Sequence, residues 1–273
     1  MTIPRELKMG LSVLLTALGL GLQQPAYAAS RIECTVILDA VTGETLHREG
    51  ICDERFTPMS SFKLPLALIG YDAGILQDEH NPTWDYRPEF KGSKREQKTV
   101  DPTIWEKDSI LWYSREITRR LGEERFADYV AKLGYGNADV SGRPGENGLT
   151  QSWLMSSLVI SPDEQANFVR RFFIHALPLS DKAYDMTRAI IPVYAAKDGW
   201  TVRGKTGSGW LRDAAGEIDR NRPLGWFVGW AEKDEYQVVF ARLEIGTEKS
   251  DEPASFAARA RLIEALPEIL KQQ

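Results

Sequence analysis

Two short runs in this chain carry residues that can do chemistry together. The first is Ser60-Ser61-Phe62-Lys63, which sets a hydroxyl and an amine three residues apart. If that run is helical, positions i and i+3 share a face and the Lys63 amine reaches the Ser60 hydroxyl. A serine hydroxyl is a weak nucleophile until a base takes its proton, and a desolvated lysine is such a base. Leu64, Pro65 and Leu66 follow at once, so burial is expected to lower the Lys63 pKa and keep the amine neutral. The second run, Lys205-Thr206-Gly207-Ser208, lies in strand-like sequence with further glycines around it. It offers a second amine, two hydroxyls and a glycine that lets another backbone approach. Alone, the serine-lysine spacing is equally consistent with a helix start and a surface lysine. The second run is what gives it chemical meaning.

The elements that must position these residues read in the order strand, helices, strands, helix. Cys34 to Ala40 predicts a strand, Thr42-Gly43 its turn, and Thr45 to Glu49 the return strand. From Phe62 to roughly Ile190 helical periodicity dominates. Ser161-Pro162-Asp163-Glu164 forms a capping box with proline at the first helical position, and Gly122 and Gly134 stand where helices end. Trp200 to Thr206, Trp226 to Ala231 and Tyr236 to Ile245 predict three strands, the last two joined by Glu232-Lys233-Asp234-Glu235. Phe256, Ala260, Ile263, Leu266 and Leu270 mark the apolar stripe of a final helix. The expected fold class is α/β, an α+β sandwich with an antiparallel sheet flanked by terminal helices. Its α/β lobe would come from about 29–60 and 191–273, and a helical lobe from about 61–190, within a single domain of 29–273. A cleft between two such lobes is a usual place for a site.

Taken jointly, the motifs resemble those of the penicillin-recognising serine enzymes, and within them the class D (oxacillinase-type) beta-lactamases. Four blocks carry the resemblance: Pro58-x-Ser60-Ser61-Phe62-Lys63, Ser109-Ile110-Leu111, Tyr135-Gly136-Asn137 and Lys205-Thr206-Gly207. Gln151-Ser152-Trp153-Leu154 and Ile160-Ser161-Pro162-x-Glu164-Gln165 also follow the family pattern, and the match covers nearly all of the chain beyond residue 28. Serine-aspartate-asparagine, the class A block, is not found. Class C enzymes are longer and space their blocks more widely. Ser61 stands where the family usually has threonine, and Leu111 where it has valine.

What the resemblance implies is a beta-lactamase/transpeptidase-like fold and hydrolysis of beta-lactams through an acyl-enzyme on Ser60. It also implies carbon dioxide taken up by Lys63 as a carbamate (N6-carboxylysine) that serves as general base, with no other cofactor. By the same resemblance Trp153 donates its indole N–H to that carbamate, and Ser109 passes a proton to the departing lactam nitrogen. Lys205 and Thr206 would meet the substrate carboxylate, Gly207 would let the strand edge come close, and the N–H groups of Ser60 and Ser208 would form the oxyanion hole. Tyr135 and Asn137 are expected to shape the wall. The arginine that the family places just past the last strand has no counterpart in register; Arg259, or Thr206 with Ser208, are the alternatives.

Composition is compatible with this. The 273 residues carry a net charge of −5, and no cluster of Lys and Arg with interleaved aromatics points to nucleic acid. Arg5 and Lys8, the apolar run Met9 to Leu22, and Ala26-Tyr27-Ala28 predict a cleavable export signal over 1–28. That implies a periplasmic protein with no membrane attachment after cleavage. Reflection about the Thr42-Gly43 turn brings Cys34 almost opposite Cys52, and an oxidising compartment permits a disulfide; two buried thiols are the alternative. His47, His80 and His175 are too far apart for zinc-ligand spacing, so no metal is expected. The expected partner is a small-molecule beta-lactam, and nothing in the sequence fixes an oligomeric state. Two other functions share the nucleophile: a penicillin-sensing receptor domain that stays acylated, and a cell-wall carboxypeptidase.

Overall fold

The computed structural model describes residues 30–271, so the export signal read over 1–28 lies outside the described residues. Six strands form one antiparallel sheet: β1 (Ile32–Asp39), β2 (Thr45–Gly50), β3 (Val193–Ala195), β4 (Thr201–Arg212), β5 (Ile218–Lys233) and β6 (Tyr236–Ile245). Their order across the sheet is β2-β1-β6-β5-β4-β3. Pairing of β1 with β6, from Ile32 opposite Ile245 to Asp39 opposite Val238, brings the first and last strands side by side in one layer. β2 faces β1 with Gly50 opposite Cys34, and Cys52, two residues on, is disulfide-bonded to Cys34 at a Cα separation of 5.2 Å.

Strand alternation separates two cores. On β5, Phe227 and Ala231 join Ile37, Val202 and Phe240 under the last helix, α8 (Ala254–Leu270), through its Leu262 and Leu266. Trp226, Val228 and Trp230 point to the other face, toward the remaining helices. These are α1 (Lys63–Asp72), α2 (Pro102–Asp108), α3 (Leu111–Leu121), α4 (Glu123–Leu133), α5 (Gly148–Gln151), α6 (Pro162–Phe173) and α7 (Asp181–Ile190). The capping box at α6 forms, with Ser161 Oγ accepting from the Glu164 N–H at 3.2 Å and Glu164 accepting from the Ser161 N–H at 2.9 Å. Among the described residues no helix is long and apolar enough to cross a membrane.

Two departures from the sequence reading stand out. Residues between α1 and α2 are not helical: beyond two short 3-10 turns they run as loop, crossed by a bridge between Trp84 and Val100. Pro82, Pro88 and Gly92 break any helical run there. Conversely, β4 and β5 extend past the predicted strands to Arg212 and back to Ile218. Their far ends are exposed or half-buried and carry Asp219, Arg220, Asn221 and Arg222, so no apolar alternation marked them.

Candidate active site

Ser60 sits in a 3-10 turn, Met59–Phe62, that leads directly into α1. In 3-10 geometry side chains at i and i+3 eclipse, so the tighter turn keeps Ser60 and Lys63 on one face. Met59 takes a positive φ of 54°, a left-handed backbone that costs a non-glycine residue energy and persists only where its surroundings enforce it. Those surroundings are specific. The Met59 N–H donates to the Trp153 carbonyl at 3.0 Å, and the Trp226 indole donates to the Thr57 carbonyl at 2.9 Å. Ser61 Oγ donates to the Pro58 carbonyl at 2.7 Å and accepts from Gln165 Nε2 at 3.0 Å, and the Tyr135 hydroxyl donates to Gln165 Oε1 at 3.1 Å. This buried chain braces the turn from beneath.

Lys63 opens a helix that is buried from Lys63 through Tyr71, an all-round apolar element at the centre of the molecule. Its Nζ is enclosed and has no hydrogen-bond partner. Burial first, and then the like charge of Lys205, push the Lys63 ammonium down to about 7, against the opposing pull of Glu106. Phe62, the residue before it, stacks on Trp153 with ring centroids 5.4 Å apart, which sets the tryptophan on the wall beside the turn. Asn137 fixes the segment carrying Trp153 by donating to the Ser157 carbonyl at 2.9 Å and accepting from the Val159 N–H at 3.0 Å.

β4 crosses in front of the turn. A Cβ on Gly207 would lie 2.7 Å from the Pro58 carbonyl oxygen, 2.7 Å from the Ser61 nitrogen and 3.1 Å from the Ser60 nitrogen, so only glycine permits this approach. Alternation along β4 sends Lys205 and Gly207 toward the helices, whereas Thr206 and Ser208 face α8. Lys205 is therefore turned inward. It is 1 % exposed, and its Nζ donates to Ser109 Oγ at 3.2 Å and to the Thr206 carbonyl at 3.0 Å. Ser109 closes α2 with a left-handed backbone, φ 57°, which aims its hydroxyl at that amine. Burial lowers Lys205 to about 8, with Glu106 opposing. On the α8 side, Ser208 Oγ donates to Ser255 Oγ at 2.7 Å and accepts the Ser255 N–H at 3.1 Å. Arg259 lies over the Tyr194 and Phe256 rings at 4.8 and 5.1 Å. Beyond Arg203 no described strand pairs the outer edge of β4, which leaves that edge open beside Thr206.

Ser60, Lys63, Ser109, Lys205 and Gly207 are thus brought together around one turn, with Trp153 behind it and the backbone of Ser208 beside it. The sequence reading missed Glu106. This acid on α2 is fully buried, and neither carboxylate oxygen has a hydrogen-bond partner. Burial raises it to about 7, with Lys205 and Lys63 pulling it back. A signal was present: Pro102, Glu106 and Ile110 recur at four-residue spacing, and all three are buried.

A six-stranded antiparallel sheet against a helical layer, with a serine-lysine turn covered by a lysine-threonine-glycine strand, defines a penicillin-recognising serine enzyme. The family described as penicillin binding protein transpeptidase domain matches residues 33–267. Beta-lactamase OXA-9 of Klebsiella pneumoniae is 56% identical over 242 residues, 88% of each chain. Beta-lactamase OXA-1 of Escherichia coli is 32% identical over 237 residues, 85% of this chain and 83% of the relative. The crystal structure of OXA-427 class D beta-lactamase superposes with a TM-score of 0.80 at 40% identity, covering 88% of this chain and 99% of that one. The chain belongs to the class D beta-lactamases. It is a serine beta-lactamase, which hydrolyses beta-lactams.

Proposed function

We propose that this enzyme opens the beta-lactam ring of penicillins and related antibiotics through a covalent acyl-enzyme on Ser60, with Lys63 as the seat of the general base. The observation that supports this best is the unpartnered, fully buried Lys63 Nζ one turn from Ser60, at a site where burial favours the neutral amine. A neutral, enclosed amine with no partner is also what a carbamate needs, so the residues fit that modification. When formed, it supplies an oxygen base in the same enclosure, and Trp153 is the neighbour to hold it.

Ser60 Oγ loses its proton to the base and attacks the lactam carbonyl. The Ser60 and Ser208 N–H groups, held together by the close approach at Gly207, stabilise the oxyanion. As the carbon–nitrogen bond breaks, Ser109 gives its proton to the leaving nitrogen and recovers one from Lys205, which already donates to it. The proton taken from Ser60 passes on to Lys205, which frees the base. Water, deprotonated by that base, then attacks the ester carbonyl, and the proton returns to Ser60 Oγ as the ester bond breaks. Thr206, on the open strand edge, and Arg259, on the same face, are the groups we assign to the substrate carboxylate. The export signal read over residues 1–28 supports a periplasmic location for this activity.

Replacing the nucleophile tests the reading. Ser60→Ala should keep the thermal transition of the parent and lose penicillin turnover by at least about 10⁴-fold, in line with other nucleophile deletions. Turnover by that variant within tenfold of the parent would remove Ser60 from the mechanism.

A further inference from the structure

Glu106 has no part in the reaction just described, yet it shares the enclosure with both lysines. It lies one turn before Ser109 on α2, and Ser109 Oγ is where the Lys205 ammonium ends. Lys63 on α1, Lys205 on β4 and Glu106 on α2 are each almost wholly excluded from water. The Lys63 Nζ and both Glu106 oxygens are buried with no hydrogen-bond partner. The remaining charged groups whose fields reach these three are Glu96 and Arg95, from the 3-10 turn Lys94–Glu96, and Arg259 on α8. Glu96 is not an equivalent acid. Burial acts to raise it, but the N–H groups of Leu111 and Ser93 and the Ser93 hydroxyl outweigh that and hold it ionised.

A water-excluded site tolerates charge only where charge is compensated. With Lys63 neutral, Lys205 charged and Glu106 ionised, these three groups sum to zero. Carbamate formation makes the Lys63 nitrogen–carbon bond, releases one proton and leaves a new negative charge beside Glu106. If that proton went to water, two carboxylate-like anions would face one ammonium. If Glu106 takes it, the sum stays at zero. We propose that Glu106 is the acceptor of the proton released when Lys63 adds carbon dioxide, and that as a neutral acid it then stands beside the carbamate as a donor. The balanced step is Lys63–NH₂ + CO₂ + Glu106–COO⁻ → Lys63–NH–COO⁻ + Glu106–COOH. The position of Glu106, raised by burial into the neutral range, is compatible with both states being reached. Glu106 is in this sense a positioning residue, acting through Lys63. The inference rests on the carbamate reading above.

Proton linkage gives a readout that packing alone would not move. Glu106→Gln keeps the shape but removes the acceptor, so carbamate formation must then release one more proton to solvent than in the parent. The affinity for dissolved carbon dioxide should therefore rise by about tenfold more per pH unit in the variant than in the parent, measured between about pH 7 and 8. Occupancy is read from the carbamate signal in ¹³C NMR with labelled bicarbonate, and Lys63→Ala identifies the signal. Infrared difference spectra of the parent on adding carbon dioxide should also gain a protonated-carboxyl carbonyl band, so the test survives if the glutamine variant fails to fold. Equal pH slopes in parent and Glu106→Gln, or a parent spectrum without that band while the carbamate signal is present, would overturn the role of Glu106 alone. Absence of any Lys63-dependent carbamate signal in the parent would overturn the carbamate reading and this inference with it.

Discussion

Gly207→Ala is the perturbation whose size can be worked out most directly from the structure. The added Cβ would stand 2.7 Å from the Pro58 carbonyl oxygen and 2.7 Å from the Ser61 nitrogen, and ordinary contact begins near 3.4 Å. Both obstacles are backbone atoms of the turn that holds Ser60, and that turn is braced by Gln165, Trp226 and the Trp153 carbonyl. The strand must therefore retreat by about 0.7 Å, the difference between those two distances. Overpacking of this kind costs about 1–3 kcal/mol. In a domain of this size each kcal/mol lowers the melting temperature by about 2–4 °C. The catalytic loss should be larger in proportion, because the retreat would part the Ser60 and Ser208 N–H groups proposed above to hold the oxyanion, and a misplacement of about 1 Å costs on the order of 100-fold in rate. We expect kcat with a chromogenic cephalosporin to fall by about 10–100-fold, with KM changed far less, since the oxyanion forms only in the transition state. Gly209→Ala is the control. The three atoms nearest its Cβ all belong to the Met59 side chain, which can move aside, so the loss should be milder. A Gly207→Ala enzyme with kcat within threefold of the parent would refute the close-approach argument.

Other outcomes follow from the same geometry. Activity should fall as pH drops below about 7, because Lys63 is neutral above that value and protonated below it, and only the neutral amine adds carbon dioxide. In carbon-dioxide-depleted buffer, progress curves should show a burst that decays and should become linear again on adding bicarbonate; rates indifferent to bicarbonate at every pH would contradict the base assignment. Trp153→Ala, which removes the ring stacked on Phe62, should raise the bicarbonate needed for linear turnover. Replacing Cys34 and Cys52 by serine opens a loop with a sequence separation of 18 residues and should lower unfolding stability by about 2–3 kcal/mol. An unchanged urea midpoint in the double variant would show that the bond contributes nothing.

Much of this arrangement could be read from the sequence because local signals and chemistry coincide. The hairpin of β1 and β2 follows from a turn at Thr42-Gly43 between strand-like runs, and α6 from its capping box. The Ser60–Lys63 pair survives the change from α-helix to 3-10 turn, since both geometries put i and i+3 on one face. Other features depend on distant partners. β3 is three residues long and exists because Val193–Ala195 pair with Thr201–Arg203 at the sheet edge. The inward course of Lys205 depends on which face of β4 meets the helices, and that was fixed by packing rather than by any local pattern. Glu106 was overlooked because a glutamate in a helix is ordinarily exposed, although its four-residue spacing from Pro102 and Ile110 marked the inner face.

The central claim, that Ser60 carries the acyl group and Lys63 the base that removes it, is tested most directly by intact-mass spectrometry and peptide mapping of Lys63→Ala during exposure to a penicillin. Because the same base also activates Ser60, the Lys63→Ala adduct is expected to form slowly and then persist with the full mass of the substrate, mapped to the peptide bearing Ser60, where the parent shows only a transient one. An adduct on another residue, or steady turnover without accumulation in the Lys63→Ala protein, would contradict it.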